Sequence, residues 1–357
     1  MNEKTHRLLV AAALLLVFGA QGCGDNPEKA LKDGVILYKE GKTEDASALL
    51  IRGLLTAAAV KTFTAPFPEC RGAVMARAVR KEVTVYYPGT LTVRAATPVH
   101  SLCRDPDSGA IALAGANRLW LVDKKGRPLS EHPLEGDGEV MACAWSENTV
   151  VFYRRDTVYR LDPAGGETRT MIPEQKFPPP FSKSPFTVTF SADDATLAVA
   201  VGIAGSYNLY GINLRASSSL FTRRSCSSSK ILADRGTFYY ITGSAGSWTL
   251  SSYSPDRNTR KDLRGFTSLL DIEIVPGGLI FESRDGVFIS ALERQDDIAL
   301  PFPFKLAGRC DGFVAGEHGG RLYLVDVKLL HEKLKALKEE IPGFFEKDTS
   351  AEEGKHP

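Results

Sequence analysis

The chain has 357 residues, of which 43% are hydrophobic and 24% charged, and its 44 basic and 43 acidic side chains give a formal net charge of +1. This balance is that of an ordinary globular protein, and the length allows one large domain and a smaller one. Nucleic-acid binding requires a basic surface that such a neutral chain does not indicate, so no nucleic acid is expected as a partner.

Residues 1–22 have the pattern of an export signal. Two basic residues precede an apolar run over residues 8–20, which is short for a membrane-spanning helix. The sequence Ala20-Gln21-Gly22-Cys23 that follows resembles a bacterial lipobox. The resemblance implies cleavage after Gly22 and lipidation of Cys23. The alternative is a plain secretory signal with an incidental cysteine.

Acyl chains on Cys23 would hold the protein on a membrane, because each buried CH₂ group contributes about 0.8 kcal/mol. We therefore expect a lipoprotein on the periplasmic or extracytoplasmic face of the cell membrane or the outer membrane. Gly24 rather than an aspartate follows the cysteine, which by resemblance to enterobacterial sorting favours the outer membrane. Asp25 leaves the choice of membrane open.

A helical hairpin is predicted over residues 23–60, with Asn26 and Pro27 at its start. Small and apolar residues recur at intervals that resemble a single tetratricopeptide repeat: Ala30, Gly34, Leu37, Gly41, Ala46 and Leu50. The hairpin either presents a partner surface like such repeats or packs on its own chain. Residues 61–81 are predicted to be a linker with a short helix from Gly72 to Lys81.

A strand pair recurs through most of the remaining chain. Its clearest copy spans Thr187 to Leu214, and five others lie at residues 109–123, 148–162, 236–250, 278–289 and 311–326. The spacing of about 40 residues is typical of four-stranded propeller blades and less so of a sandwich of short strands.

The turn sequences that begin at Phe190 and Trp145 resemble those of WD-repeat and TolB-like propellers. The resemblance covers roughly residues 82–326 and implies a mainly β fold, a six-bladed β-propeller with an N-terminal helical hairpin and a C-terminal helix. Glu82–Arg94 is expected to complete the last blade and close the ring. One fold hosts many functions, so no specific function follows.

Period-3.6 spacing of apolar residues predicts a C-terminal helix over residues 327–346, followed by a polar, disordered tail over residues 347–357. The insertion Phe177–Phe181 is predicted to plug the groove between two blades, together with Phe186. Six aromatic residues occupy equivalent third-strand positions, which favours core packing over sugar stacking: Trp120, Tyr159, Tyr210, Trp248, Phe288 and Tyr323.

No catalytic, metal-binding or cofactor-binding motif is found in the sequence. Asp105 to Gly109 is predicted to be a hairpin turn, because it is too short for a calcium loop and Ala116 replaces the bidentate glutamate. Five cysteines follow the anchor, and their pairing is left open between buried thiols and a bridge: Cys70, Cys103, Cys143, Cys226 and Cys310. Cys103 and Cys143 occupy corresponding first strands.

The sequence predicts a non-catalytic, lipid-anchored protein of the cell envelope that acts as a scaffold for protein–protein interaction, with an envelope protein as partner. The alternative is an exported receptor or enzyme that binds a sugar or peptide in the central funnel of the propeller. Convergent carboxylates or histidines in the funnel would favour the alternative, because propeller active sites assemble there from distant residues.

Overall fold

The computed structural model describes residues 26–345 except residues 72–73, 80, 136–137, 147, 181–185, 194, 245 and 311. The predicted signal, Gly22, Cys23 and the tail over residues 347–357 lie outside the described residues. The chain divides into two compact units, residues 1–57 and 58–357.

The described part of the first unit consists of two helices, α1 (Pro27–Lys39) and α2 (Thr43–Ala58), the last residue of which is counted in the second unit. The Asn26 side chain accepts hydrogen bonds from the amides of Glu28 and Lys29 and so caps α1. Gly34 lets the helices approach closely, because a Cβ atom there would lie 2.7 Å from Cγ of Leu50. Two helices therefore form within the predicted range, and their likeness to a tetratricopeptide repeat stays a prediction.

The second unit contains seven antiparallel sheets of four strands each, which we number as blades in chain order. Blade 1 has β2 (Glu69–Arg71), β3 (Val74–Val79), β4 (Glu82–Tyr87) and β5 (Leu91–Arg94). Blade 2 has β6 (Ser101–Arg104), β7 (Ile111–Ala114), β8 (Arg118–Val122) and β9 (Pro128–Pro133). Blade 3 has β10 (Ala142–Ser146), β11 (Thr149–Arg154), β12 (Thr157–Asp162) and β13 (Glu167–Thr170).

Blade 4 has β14 (Thr187–Ala192), β15 (Thr196–Ile203), β16 (Ser206–Asn213) and β17 (Ser218–Cys226). Blade 5 has β18 (Ile231–Asp234), β19 (Thr237–Ser244), β20 (Ser247–Ser254) and β21 (Thr259–Phe266). Blade 6 has β22 (Leu269–Val275), β23 (Gly278–Ser283), β24 (Gly286–Ala291) and β25 (Ile298–Ala299). Blade 7 has β26 (Lys305–Cys310), β27 (Phe313–His318), β28 (Arg321–Val325) and, as its outer strand, β1 (Ala59–Thr64).

The prediction of six blades is wrong, because the propeller has seven. Residues 61–81, predicted as a linker with a short helix, contribute most of β1 and all of β2 and β3. Glu82–Arg94 does not complete the last blade but supplies the last two strands of blade 1. The ring is closed instead by β1, whose Ala59 pairs with Val325 and whose Thr64 pairs with Arg321.

Each blade packs on its neighbours through apolar side chains of alternate residues. In β15, Leu197 and Val199 face the cluster shared with blade 3, and Ala198 and Ala200 face the cluster shared with blade 5. Such a strand is apolar throughout because both of its faces are covered, and each large buried aliphatic side chain contributes about 1.5–3 kcal/mol.

The insertion before blade 4 plugs a groove as predicted for Phe177, which is wholly buried. Its carbonyl oxygen accepts a hydrogen bond from Tyr153 at 2.9 Å, and its ring meets Tyr210 edge-on at 5.1 Å. Phe186 packs against the same apolar cluster, whereas Phe181 is outside the described residues. The third-strand aromatics Trp120 and Tyr210 lie in the cores between blades.

A third helix, α3 (Val327–Glu340), packs against β23, β24 and β25 of blade 6. Asp326 caps it by accepting a hydrogen bond from the amide of Leu329, and Leu330 and Leu334 are wholly buried. A turn of 3₁₀-helix follows at Pro342–Phe345. None of the helices in the described part of the chain is long and apolar enough to span a membrane.

Candidate functional site

The candidate site is a central cavity of about 1190 Å³. The first strand of every blade contributes to its lining, as do the turns that follow several of these strands. A first strand pairs with only one neighbour, so the polar backbone groups on its channel side have no partner in the sheet. The cavity is therefore polar even where the strands themselves are apolar.

One side of the cavity, formed by blades 5 to 7, carries five charged side chains, and we call three of them, Lys230, Glu273 and Arg309, the charged wall. The Lys230 ammonium forms an ion pair with the Glu273 carboxylate and lies 3.7 Å from Asp271. Glu273 is only 3% exposed. Burial raises the pKa of Glu273 above its usual value, and the charge of Lys230 opposes that rise.

Arg309 reaches from blade 7 to the first strands of two other blades. Its Nη1 donates to the carbonyl oxygen of Ile231 at 2.6 Å and to that of Ile274 at 2.9 Å. Its Nε and Nη2 make no hydrogen bond with any residue that the structure describes. Burial lowers the pKa of Arg309, and the carboxylate of Glu273 opposes that change.

The other side of the cavity, formed by blades 2 and 3, carries two buried cysteines, and we call Cys103 and Cys143 the thiol wall. Burial, followed by a hydrogen bond with Cys143, raises the pKa of Cys103 well above its usual value. The hydroxyl of Ser101 donates to Cys143 Sγ at 3.5 Å. All five described cysteines are free thiols in the structure, which favours the unbridged alternative.

Aspartates at the edge of the cavity bind backbone amides. Asp105 accepts from the amides of Asp107 at 3.1 Å and Ser108 at 3.2 Å, which forms the predicted hairpin turn. Asp193 accepts from the amide of Gly236 in the next blade at 3.1 Å and so joins two blades. No group of three metal-ligating side chains occurs among residues 26–345 outside the gaps given above.

The predicted lipidation site Cys23 and cleavage site Gly22 fall outside the described residues, so the structure does not bear on them. Sequence reasoning missed the charged wall. A single acidic residue between Ile272 and Ile274 in an otherwise apolar strand was the one local signal that could have revealed it. Arg309 gives no such signal, because its contacts are with distant residues.

The chain matches no protein-family model and no curated protein. Among solved structures, BBS1N in complex with ARL6DN is 12% identical, with 75% of this chain and 96% of that chain covered and a TM-score of 0.50. BamB from Moraxella catarrhalis is 12% identical over 74% of this chain and 98% of its own, with a TM-score of 0.43. The Myceliophteria thermophila Cps50 (Swd1) propeller domain is 11% identical, with 76% of this chain and 99% of that chain covered and a TM-score of 0.48. Such low identity shows the fold alone, and the chain shares the β-propeller fold.

Proposed function

We propose that the chain is a lipid-anchored protein of the cell envelope that acts as a non-catalytic scaffold for protein–protein interaction. The closed ring of seven blades is the observation that carries this proposal. A closed ring of blades leaves only short, protected sheet edges, and it offers rigid faces built from many turns, where binding residues are commonly placed. The helical pair α1–α2 offers a second surface.

The anchor rests on the lipobox at residues 20–23 and would place the protein on the periplasmic or extracytoplasmic face of a bacterial membrane. Two or more acyl chains give stable attachment, whereas one gives only reversible binding. Protein held at a membrane in this way meets its partners at a high local concentration, which suits a scaffold.

The non-catalytic part of the proposal rests on how three of the five acidic side chains that line the cavity are used. Asp105 and Asp193 bind backbone amides of turns, and Glu273 is paired with Lys230. A general acid or base needs a carboxyl group that can reach a substrate, and these three are engaged by the protein itself.

Metabolic labelling with radioactive palmitate tests the anchor. We expect label in the wild-type protein and in a Cys70→Ala variant, and none in Cys23→Ala, because only Cys23 lies in the lipobox. Label that persists in Cys23→Ala would contradict lipidation at this residue.

Chemical crosslinking in intact membranes, followed by purification and mass spectrometry, tests the scaffold. We expect a specific partner whose crosslinks map to exposed lysines such as Lys29 and Lys32 of α1 or Lys261 and Lys305 of the propeller. The unanchored Cys23→Ala protein is the control. A correctly anchored protein that recovers nothing above this control would overturn the proposal.

A further inference from the structure

We propose that Arg309 forms an oxyanion-binding site in the central cavity, and that the chain binds there a molecule carrying a carboxylate or phosphate group. The site goes beyond the scaffold function and does not depend on it. The guanidinium presents its Nε–Nη2 edge to that group, with two parallel N–H donors.

The orientation of this guanidinium is fixed. Its Nη1 is held by the carbonyl oxygens of Ile231 and Ile274, at 2.6 and 2.9 Å. The two nitrogens on the remaining edge, Nε and Nη2, have no hydrogen-bond partner among the residues that the structure describes. This edge matches the spacing of the two oxygens of a carboxylate or phosphate, and a fixed guanidinium loses little freedom on binding.

The Glu273 carboxylate acts on the charge of Arg309 but forms no ion pair with it. Glu273, the acidic member of the charged wall, is paired with Lys230. None of the described acidic side chains forms an ion pair with Arg309. Desolvation of a charge is costly, so an anion bound at the open edge of the guanidinium would add a directly paired opposite charge.

The size of the cavity indicates what kind of molecule carries the anion. Its volume of about 1190 Å³ is slightly above the usual range of about 300–1,000 Å³ for small-molecule sites and far exceeds that of a lone phosphate ion. The oxyanion is therefore one group of a larger ligand, and simple ions serve as probes for it.

Isothermal titration of the full chain with inorganic phosphate and, separately, with acetate tests the site at constant ionic strength in chloride. We expect saturable binding of one ion per chain with a dissociation constant of about 1 mM for the better probe. Arg309→Gln is expected to weaken binding at least about tenfold, because it removes charge-assisted hydrogen bonds. The matched control is Arg257→Gln, which removes an exposed arginine outside the cavity and should bind as the wild type does.

The tighter probe identifies the group, phosphate or carboxylate, that the ligand carries. Absence of saturable binding of both probes to the wild type, or equal binding by Arg309→Gln, would overturn the proposal. If Arg309→Gln does not fold, phenylglyoxal modification of the wild type replaces it. Phosphate should then protect Arg309 and leave Arg257 unprotected in peptide mass spectra, and equal modification of Arg309 with and without phosphate would refute the site.

Discussion

The two walls of the central cavity are built from the same element, the first strand of a blade, yet they differ in what their side chains do. On the thiol wall, Cys103 and Cys143 belong to the apolar cluster between blades 2 and 3. On the charged wall, Arg309 bonds to the backbone of blades 5 and 6, and Lys230 is paired with Glu273. One wall thus continues the core, and the other links three blades and leaves donors facing the cavity.

The difference shows where a propeller can vary without losing its fold. The cores between blades need apolar side chains at alternate positions, and the thiol wall meets that need with small residues. The channel-side carbonyl groups need donors, and water or a side chain can provide them. Arg309 donates to two of these carbonyl groups with a charged guanidinium, and the other edge of that guanidinium can bind a ligand.

The largest expected effect comes from truncating the charged wall. We expect Arg309→Ala to lower the free energy of unfolding by about 3 kcal/mol, because it removes two charge-assisted hydrogen bonds. Cys103→Ala, the matched change on the thiol wall, should cost about 1 kcal/mol, since it removes only a small buried group. Urea denaturation of both variants measures the difference. Equal losses of unfolding free energy in the two variants would show that the charged wall and the thiol wall contribute equally to stability.

Lys230→Met is expected to lower the free energy of unfolding by a smaller amount that depends on pH. The change leaves Glu273 buried without its partner and should cost about 2 kcal/mol at pH 7. Because the pKa of Glu273 is raised in the folded protein, the folded state binds more protons than the unfolded state at pH values between the unfolded and the folded pKa. The free energy of unfolding therefore falls as pH rises from the unfolded pKa of Glu273, near 4.3, through its folded pKa. The fall is larger in Lys230→Met, because the charge of Lys230 no longer opposes the rise in the pKa of Glu273.

Urea denaturation at pH 5 and pH 8 measures this dependence. The deficit of Lys230→Met relative to the wild type should be larger at pH 8. Glu273→Gln, which has no proton to lose at this position, serves as the pH-insensitive reference. A deficit of the same size at both pH values would contradict the pairing of Lys230 with Glu273.

The smallest effect concerns reactivity and leaves stability unchanged. Burial and the raised pKa of Cys103 keep its thiolate population low, whereas Cys70 lines the same cavity and is only partly buried. We expect iodoacetamide at pH 8 to modify Cys70 at least about tenfold faster than Cys103 in the folded protein. Peptide mass spectrometry measures both rates, and the difference should disappear in denaturant. Equal rates in the folded protein would contradict the burial of Cys103.

The sequence predicted the propeller because a pair of apolar strands recurs along it. These strands, such as β15, are apolar on both faces because a neighbouring blade packs on each face. It did not predict blade 1. The strand Val74–Val79 is built from alanine, methionine, arginine and valine, and several of these favour helices in isolation. Pairing with its neighbours overrides that preference. The closing strand β1 follows α2 without an intervening loop, so no turn residue signals its start.

The charged wall was less predictable than the fold. Arg309 contacts carbonyl groups of Ile231 and Ile274, which are 78 and 35 residues away in the chain. Those contacts depend on how the ring closes, and therefore they depend on the number of blades. By contrast, the correspondence of Cys103 and Cys143 could be predicted, because both occupy first strands of consecutive repeats.

The measurement that most directly compares the two walls is the stabilisation of three proteins by phosphate: wild type, Cys103→Ala and Arg309→Gln. A ligand that binds only the folded state raises the free energy of unfolding by an amount that grows with its concentration. We expect wild type and Cys103→Ala to gain equally from phosphate over chloride at equal ionic strength, and Arg309→Gln to gain less, because only the general stabilisation by phosphate remains. Equal gains in all three proteins would show that phosphate acts elsewhere and that the charged wall is structural only.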